Sequence, residues 1–333
     1  MNGSVPNALG GGVGRRGRAS ENSRCGAEGS WPQFDTAASA MRISIAEILD
    51  GVRDVLEISP LAFSVACICL TLSISQYLRS AVRGASDPGV WRQCLEEMVA
   101  AFELCGCCYE LIIIADNYGV GAYAVALFLL TIWWSKHWGD ATACPYTYLE
   151  DLLEGRTNYG VVILKTIFGL IGALSVFQYI QLIWGLEMVE NHKDRADSKC
   201  VADLQVPVLY GALVELAATF VCRVCSRTIG ELGPKHGAPL DSFIGTSLVV
   251  LGFNYSGGYY NPLLATGLKL GCLGHTFAQF FVVYWLGATL GSVAASYFFR
   301  LPAVHSLLVP SAAAAQQKPA EEEIENVWPD HED

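Results

Sequence analysis

Residues 256–272 read SGGYYNPLLATGLKLGC, and the Asn261-Pro262 pair opens a short apolar helix within this stretch. Asn is a favoured N-cap, and Pro at the first helical position gives up an amide hydrogen that would have had no partner. The helix that follows rises only roughly 17 Å up to Cys272, about half of a hydrocarbon core. A half-helix whose positive end points at mid-membrane steers polar solutes and repels cations. The stretch therefore predicts a re-entrant element, provided that the chain supplies a membrane-spanning body and a partner half-helix.

The composition is that of a membrane protein. The chain has 333 residues, 52% apolar and 16% charged, with a net charge of -11 that lies largely in the tails and loops. This excludes a nucleic-acid binder. Most of the twelve cysteines fall inside apolar runs and are expected to pack as small hydrophobes. Cys222 and Cys225 have CxxC spacing, but no second pair accompanies them, so no metal or cofactor site is predicted.

Four regions follow from the pattern of hydropathy and charge. Residues 1–50 are predicted to be a flexible tail, and 51–92 an added hydrophobic helix with a basic linker. Residues 93–300 are predicted to form the membrane-spanning body, and 301–333 an acidic, disordered tail.

Seven apolar segments are long enough to cross a bilayer. They cover residues 55–78, 95–115, 118–138, 161–186, 206–225, 240–255 and 277–299, the sixth being the shortest. Two shorter segments, 144–153 and 261–272, each open with a small polar residue and Pro.

An internal duplication relates the two halves of the body, 93–190 and 205–300. LEEMVAAF at 95–102 resembles VELAATF at 214–220, so Glu97 and Glu215 occupy matching places. Glu97 lies 47 residues before Cys144, and Glu215 lies 46 before Asn261. With three spans in each half, the second copy enters the membrane upside down, and the two half-helices meet head to head.

The loop charges favour one orientation. With the segment before residue 95 in the cytoplasm, nine Lys and Arg residues lie on the cytoplasmic side and four on the other side, as the positive-inside rule expects. The side of the N-terminal tail stays open, because its own arginines argue against a crossing of the first span.

These features resemble the aquaporin family. The resemblance covers about residues 95–300, and it is strongest to the unorthodox or superaquaporin branch, the eleven/twelve-like group, and to its insect members. It rests on motif one, Cys144-Pro145-Tyr146, on motif two, Asn261-Pro262-Leu263, and on Cys272, eleven residues after Asn261. The resemblance implies an all-α membrane fold of six core helices in inverted repeat with two re-entrant half-helices, beside the extra N-terminal helix.

The resemblance also implies roles for individual residues. Asn261 would cap its half-helix and offer amide hydrogens to a passing water, whereas Cys144, in the matching place, is a weaker donor. Pro145 and Pro262 would meet at the centre. Glu97 and Glu215 would accept hydrogen bonds from the half-helix loops, although each also fits an interfacial Glu near the end of a span.

The outer filter departs from the usual family pattern. Leu264 stands where most aquaporins carry Arg, and Ala124, Val249 and Gly258 fall at the other filter positions. The resemblance therefore implies an uncharged constriction with weaker discrimination between water and glycerol.

The function predicted is a passive channel for water and small neutral solutes, and not an enzyme. A glycerol or hydrogen peroxide facilitator is one alternative, and a closed aquaporin fold that acts through partners is another. The resemblance further implies a homotetramer in an intracellular membrane such as the endoplasmic reticulum.

Several residues keep more than one interpretation. Cys272 fits a redox or assembly cysteine or a small packed residue. Glu103 and Glu110 could face the pore, pair with neighbours or lie at an interface. Gly287 and Gly291 form a GxxxG motif that predicts close helix packing within or between subunits.

Overall fold

The computed structural model describes residues 59–310, and apart from one isolated bridge their regular structure is helical. The helices are α1 (Pro60–Ala85), α2 (Val90–His137), α3 (Pro145–Leu153), α4 (Tyr159–Trp184), α5 (Val208–Leu232), α6 (Gly237–Gly252), α7 (Pro262–Lys269), α8 (Phe277–Phe299) and α9 (Pro302–Leu308). Within α8, residues Phe281–Gly287 form a π-helical turn. The sequence-based prediction of an all-α membrane fold is confirmed.

Five of the described helices are long and apolar enough to cross a membrane: α1, α2, α4, α5 and α8. Helix α2 has 48 residues and rises about 72 Å, which is more than twice the thickness of a hydrocarbon core. It breaks at Gly119, whose φ of 81° and ψ of 166° are not helical. The two predicted spans 95–115 and 118–138 are therefore joined at one glycine. The shorter helix α6, with 16 residues, corresponds to the predicted sixth span.

Some element boundaries differ from those predicted. Helix α1 continues to Ala85 instead of residue 78, and α7 ends at Lys269, three residues before Cys272. Residues 302–308 form α9 although the sequence predicts a disordered tail from residue 301. Pro302 opens this helix, and His305 contacts Glu231 on α5 at 2.7 Å, which fixes it to the body. The predicted tail at 1–50 and the acidic residues after 310 lie outside the described residues.

Glycines let the first and last helices of each half approach closely. A Cβ at Gly287 on α8 would lie 2.7 Å from the Ala212 carbonyl oxygen on α5, and one at Gly291 would collide with the Leu216 carbonyl. In the first half, Gly172 on α4 lies in the same way against the Met98 carbonyl on α2. The GxxxG pair therefore packs α8 against α5 within the chain.

The added helix α1 packs against the first half of the body. Thr71 on α1 hydrogen-bonds the Tyr179 hydroxyl on α4 at 2.9 Å, and Arg79 pairs with Glu103 on α2 at 2.6 Å. Glu110 lies about two helical turns after Glu103 on α2. It accepts a hydrogen bond from the Trp184 indole at 2.9 Å and lies 3.2 Å from His192. Both glutamates thus pair with neighbours, the second of the interpretations that the sequence leaves open.

Candidate pore centre

Two short helices, α3 and α7, begin at the prolines of motif one and motif two. The Asn261 side-chain oxygen caps α7 by accepting from the amides of Leu263 at 2.9 Å and Leu264 at 3.4 Å. Cys144 stands at the N-cap of α3 but makes no side-chain capping bond, and it is 4% exposed. The two half-helices therefore begin alike but are capped differently.

A buried glutamate holds the loop in front of each half-helix. Glu97 on α2 accepts from the backbone amides of Thr142 at 3.1 Å and Ala143 at 2.8 Å, and from the Tyr148 hydroxyl at 2.5 Å. Lys165 on α4 lies 3.8 Å from the same carboxylate. An ionised group in a membrane span is costly unless it is paired, and these donors meet that requirement.

Glu215 on α5 does the same in the second half. It accepts from the Ser256 hydroxyl at 2.6 Å, from the Tyr259 amide at 3.2 Å and from the Tyr260 amide. The matching positions of the two glutamates in the duplication thus correspond to matching contacts.

The residue before each motif has a left-handed backbone. The φ angles are 49° at Ala143 and 25° at Tyr260, a region that non-glycine residues seldom occupy. Such conformations cost about 1–3 kcal/mol and persist only when several contacts hold them. Here a glutamate binds the amide of each residue, and the opposite half-helix binds its carbonyl.

The two halves are joined across the centre by two hydrogen bonds. The Asn261 amide nitrogen donates to the Ala143 carbonyl at 2.9 Å, and the Tyr146 hydroxyl donates to the Tyr260 carbonyl at 3.0 Å. The sequence places Tyr146 only in motif one and predicts no partner for it. Its contact joins residues that are 114 positions apart, and no sequence pattern indicates it.

The far end of α3 is anchored to the second half by charge. Glu150 is 2% exposed and accepts from Arg223 at 2.6 Å, Arg227 at 2.9 Å and Ser292 at 2.5 Å. Arg223 and Arg227 lie on α5, and Ser292 lies on α8. The sequence analysis missed this residue, although an acidic side chain in a short re-entrant helix was a usable signal.

The predicted filter residues are only partly brought together. A Cβ at Gly258 would lie 2.5 Å from the Val249 carbonyl, so these two are in contact. Leu264 is partly buried and packs against the core cluster that includes Val249. Ala124 follows Tyr123, whose ring meets Phe253 at the end of α6 with 5.4 Å between centroids. That contact brings the second half of α2 to the helix end near Val249.

The loop between α4 and α5, residues 185–207, is attached to the end of α7. Cys200 and Cys272 form a disulfide. Beside it, the Leu273 amide donates to the Cys200 carbonyl, and the Leu273 carbonyl accepts from the Ala202 amide. Lys269 pairs with Asp203 at 2.9 Å. Cys272 is therefore both disulfide-bonded and 3% exposed, and its pairing with Cys200 is a contact that the sequence did not predict.

The disulfide agrees with the orientation expected from the loop charges. Disulfides form in oxidising compartments, and the positive-inside rule places residues 185–207 on the non-cytoplasmic side. The two independent arguments put the same loop on the same side.

The electrostatics at the centre follow from the helix orientation. The N-termini of α3 and α7 approach each other, as the two cross-bonds require, and each carries a partial positive charge. A partial positive charge at such a centre disfavours cations.

Comparisons with known proteins agree with this geometry. No family model matches the chain. It is 31% identical to Aquaporin-11 of Milnesium tardigradum over 235 residues, covering 70% of this chain and 85% of that protein. It is 24% identical to Aquaporin-12 of Mus musculus over 233 residues, covering 68% of this chain and 80% of the relative.

A solved structure shares the fold. The X-ray structure of the aquaglyceroporin from Plasmodium falciparum superposes with a TM-score of 0.51 and 14% identity, covering 66% of this chain and 99% of that chain. Members of the family are membrane channels and not enzymes. The paired half-helices, the inverted repeat and the relative at 31% identity lead to one conclusion: the chain belongs to the aquaporin family, in the branch of aquaporins 11 and 12, and is a multi-pass membrane channel for water or small solutes.

Proposed function

We propose that the channel passes water together with small neutral solutes such as glycerol. The observation that carries the proposal is the pair of half-helix N-termini joined at the centre, with Asn261 capping one of them. Its side-chain nitrogen has two hydrogens and donates one to Ala143, which leaves the other for a solute.

The residues of the predicted filter support passage of small neutral solutes in addition to water. In this proposal it consists of Ala124, Val249, Gly258 and Leu264, none of which is charged. An apolar Leu264 in place of a guanidinium removes a group that would bind water tightly and narrow the passage. Cation exclusion then depends mainly on the half-helix dipoles at motif one and motif two.

Stopped-flow measurements on proteoliposomes test the proposal. Vesicles with the purified chain should shrink in a sucrose gradient faster than empty vesicles, and should re-swell faster in a glycerol gradient. Water permeability equal to that of empty vesicles would refute a water channel, and glycerol permeability at that level would refute the wider selectivity.

A hydrogen peroxide facilitator is the alternative within transport. The same vesicles, loaded with a peroxide-sensitive dye, distinguish it from the main proposal. Peroxide entry without water flux would favour the alternative.

A closed fold that acts through partners is the second alternative, and one observation favours it. Tyr146 crosses to the opposite half at the centre, and Cys144 beside it is nearly inaccessible. The double variant Cys144→Asn/Tyr146→Ala discriminates, because a functional pore should keep or gain flux. A closed scaffold should show none in either form.

We propose a homotetramer in an intracellular membrane, the endoplasmic reticulum. The lumen of that compartment is oxidising and suits the Cys200–Cys272 disulfide. Native mass spectrometry in detergent tests the stoichiometry, and microscopy of a fluorescently tagged full chain against organelle markers tests the membrane.

A further inference from the structure

The two cross-bonds at the pore centre are related by the internal repeat, but different chemical groups make them. Ala143 directly precedes motif one, and its carbonyl accepts from Asn261, the first residue of motif two. Tyr260 directly precedes motif two, and its carbonyl accepts from Tyr146, the third residue of motif one. A strict repeat would use the side chain of residue 144 for the second bond.

We infer that Tyr146 is a positioning residue that replaces the missing amide of residue 144 and holds the Tyr260 carbonyl in place. The Cys144 thiol is a weak donor and caps nothing in α3. The phenol is long enough to reach the carbonyl from two residues further along, and Tyr146 as a whole is 6% exposed. This assignment deepens the channel proposal, because it concerns the same pore centre.

The Tyr260 carbonyl needs such a partner. Tyr260 is a bulky residue at positive φ, and Glu215 holds only its amide side. The hydrogen bond from Tyr146 to this carbonyl is partly buried, and a bond of this kind contributes about 0.5–1.5 kcal/mol. Without the phenol, the Tyr260 carbonyl would lose its donor, although the amide would stay bound to Glu215 and the hydroxyl to the Gly245 carbonyl.

Motif two has Asn at its first position, so its third residue is a model for residue 146 in a chain with Asn at 144. Leu263 is the counterpart of Tyr146, is fully buried, and packs against Gly169 on α4. Tyr146 packs beside Ala288 on α8, the helix that corresponds to α4 in the repeat. Motif two therefore combines an amide at its first position with an apolar side chain at its third.

This relationship defines a matched rescue. The double variant Cys144→Asn/Tyr146→Leu makes motif one identical to motif two, Asn-Pro-Leu. The amide at 144 would then bind the Tyr260 carbonyl as Asn261 binds Ala143, and Leu would fill the space of the ring. The single variants Tyr146→Phe, Tyr146→Leu and Cys144→Asn complete the set, and Tyr77→Phe, at an exposed tyrosine, is the control.

Two measurements are made on each full-length variant: solute permeability in proteoliposomes and the midpoint of thermal unfolding in detergent. Tyr146→Phe keeps the ring and removes only the hydroxyl, and with it the hydrogen bond to the Tyr260 carbonyl. It should therefore lower the solute permeability about five-fold or more and lower the unfolding midpoint. Cys144→Asn/Tyr146→Leu should recover both values to near the wild type, so that the two substitutions are strongly non-additive.

The outcomes that overturn the inference are specific. Tyr146→Phe with unchanged permeability and midpoint would show that the hydroxyl does not position the loop. If Cys144→Asn/Tyr146→Leu had the same permeability and midpoint as Tyr146→Leu, the ring would act only by packing. An amide at residue 144 cannot replace lost packing, so it would then bring no recovery. If the wild type conducts nothing, the channel proposal fails, whereas non-additive midpoints would still support the role of Tyr146 and additive ones would refute it.

Discussion

Arg79 on the added helix and Glu103 on α2 form an ion pair in which neither side chain is exposed, with 2.6 Å between Nη2 and Oε2. The pair explains how a helix outside the internal repeat is fixed to the channel body. Both side chains are fully buried, where an unpaired charge is costly.

Arg79→Met should destabilise the protein strongly, by about 3–5 kcal/mol, because Glu103 is left buried without a partner. Arg79→Met/Glu103→Leu should recover most of this loss, since two apolar side chains replace the pair. Thermal unfolding in detergent measures both. Arg83→Met is the control and should change stability by no more than about 1 kcal/mol, because the Arg83 side chain is 40% exposed and its partner Glu96 also lies 3.5 Å from Arg92. A double variant as unstable as Arg79→Met would contradict the pairing.

Loss of the Cys200–Cys272 disulfide should destabilise the loop at 185–207 and the end of α7. The bond closes 72 residues, and removing such a link costs about 2–5 kcal/mol. Cys200→Ala and Cys272→Ala should therefore lower the unfolding midpoint by similar amounts, and the double variant by no more than either. Cys69→Ala, at an exposed free cysteine, is the control. Additive effects of the two substitutions would argue against the bond.

Glu215→Gln should weaken the loop that carries motif two. Its carboxylate accepts from Ser256, Tyr259 and Tyr260, and hydrogen bonds to a charged group contribute about 1.5–3 kcal/mol each. Lower solute permeability and a lower unfolding midpoint are expected together. Glu190→Gln changes a glutamate whose side chain is 75% exposed, and it should alter neither quantity. Wild-type permeability in Glu215→Gln would exclude a role for the charge.

Leu264→Arg should narrow the proposed filter and favour water over glycerol. A guanidinium at this place would bind water and fill the space that glycerol needs, so glycerol permeability should fall about ten-fold more than water permeability, a barrier difference of about 1.4 kcal/mol. Leu264→Met conserves volume and should leave the ratio unchanged. An equal fall for both solutes would place Leu264 outside the filter.

His275, in the connection between α7 and α8, should make stability depend on pH. Burial lowers the pKa of its imidazole below the ordinary 6.5, so the folded state favours the neutral ring. The unfolded chain takes up the proton first, and stability present above pH 6.5 is lost as the pH falls towards the folded pKa. The midpoint should fall less between pH of about 7.5 and about 5.5 in His275→Gln than in the wild type. His236→Gln, at an exposed histidine, is the matched control and should retain the wild-type fall.

The sequence by itself determined the membrane spans, the duplication and the two re-entrant helices. Each depends on local physics: a span on a run of apolar residues, a half-helix on a Pro that opens it, and the inverted repeat on the spacing of Glu97 and Glu215. Such signals survive in the linear chain, because they need no knowledge of which distant residues meet.

The tertiary structure alone decided the partners. Tyr146 hydrogen-bonds Tyr260, 114 residues away, and Cys200 forms a disulfide with Cys272, 72 residues away. Arg79 forms an ion pair with Glu103 on a neighbouring helix. A buried donor, thiol or charge needs some partner, but the chain order does not say which one. That choice is made when the helices pack and the half-helices meet, since only then do the groups come within hydrogen-bonding distance.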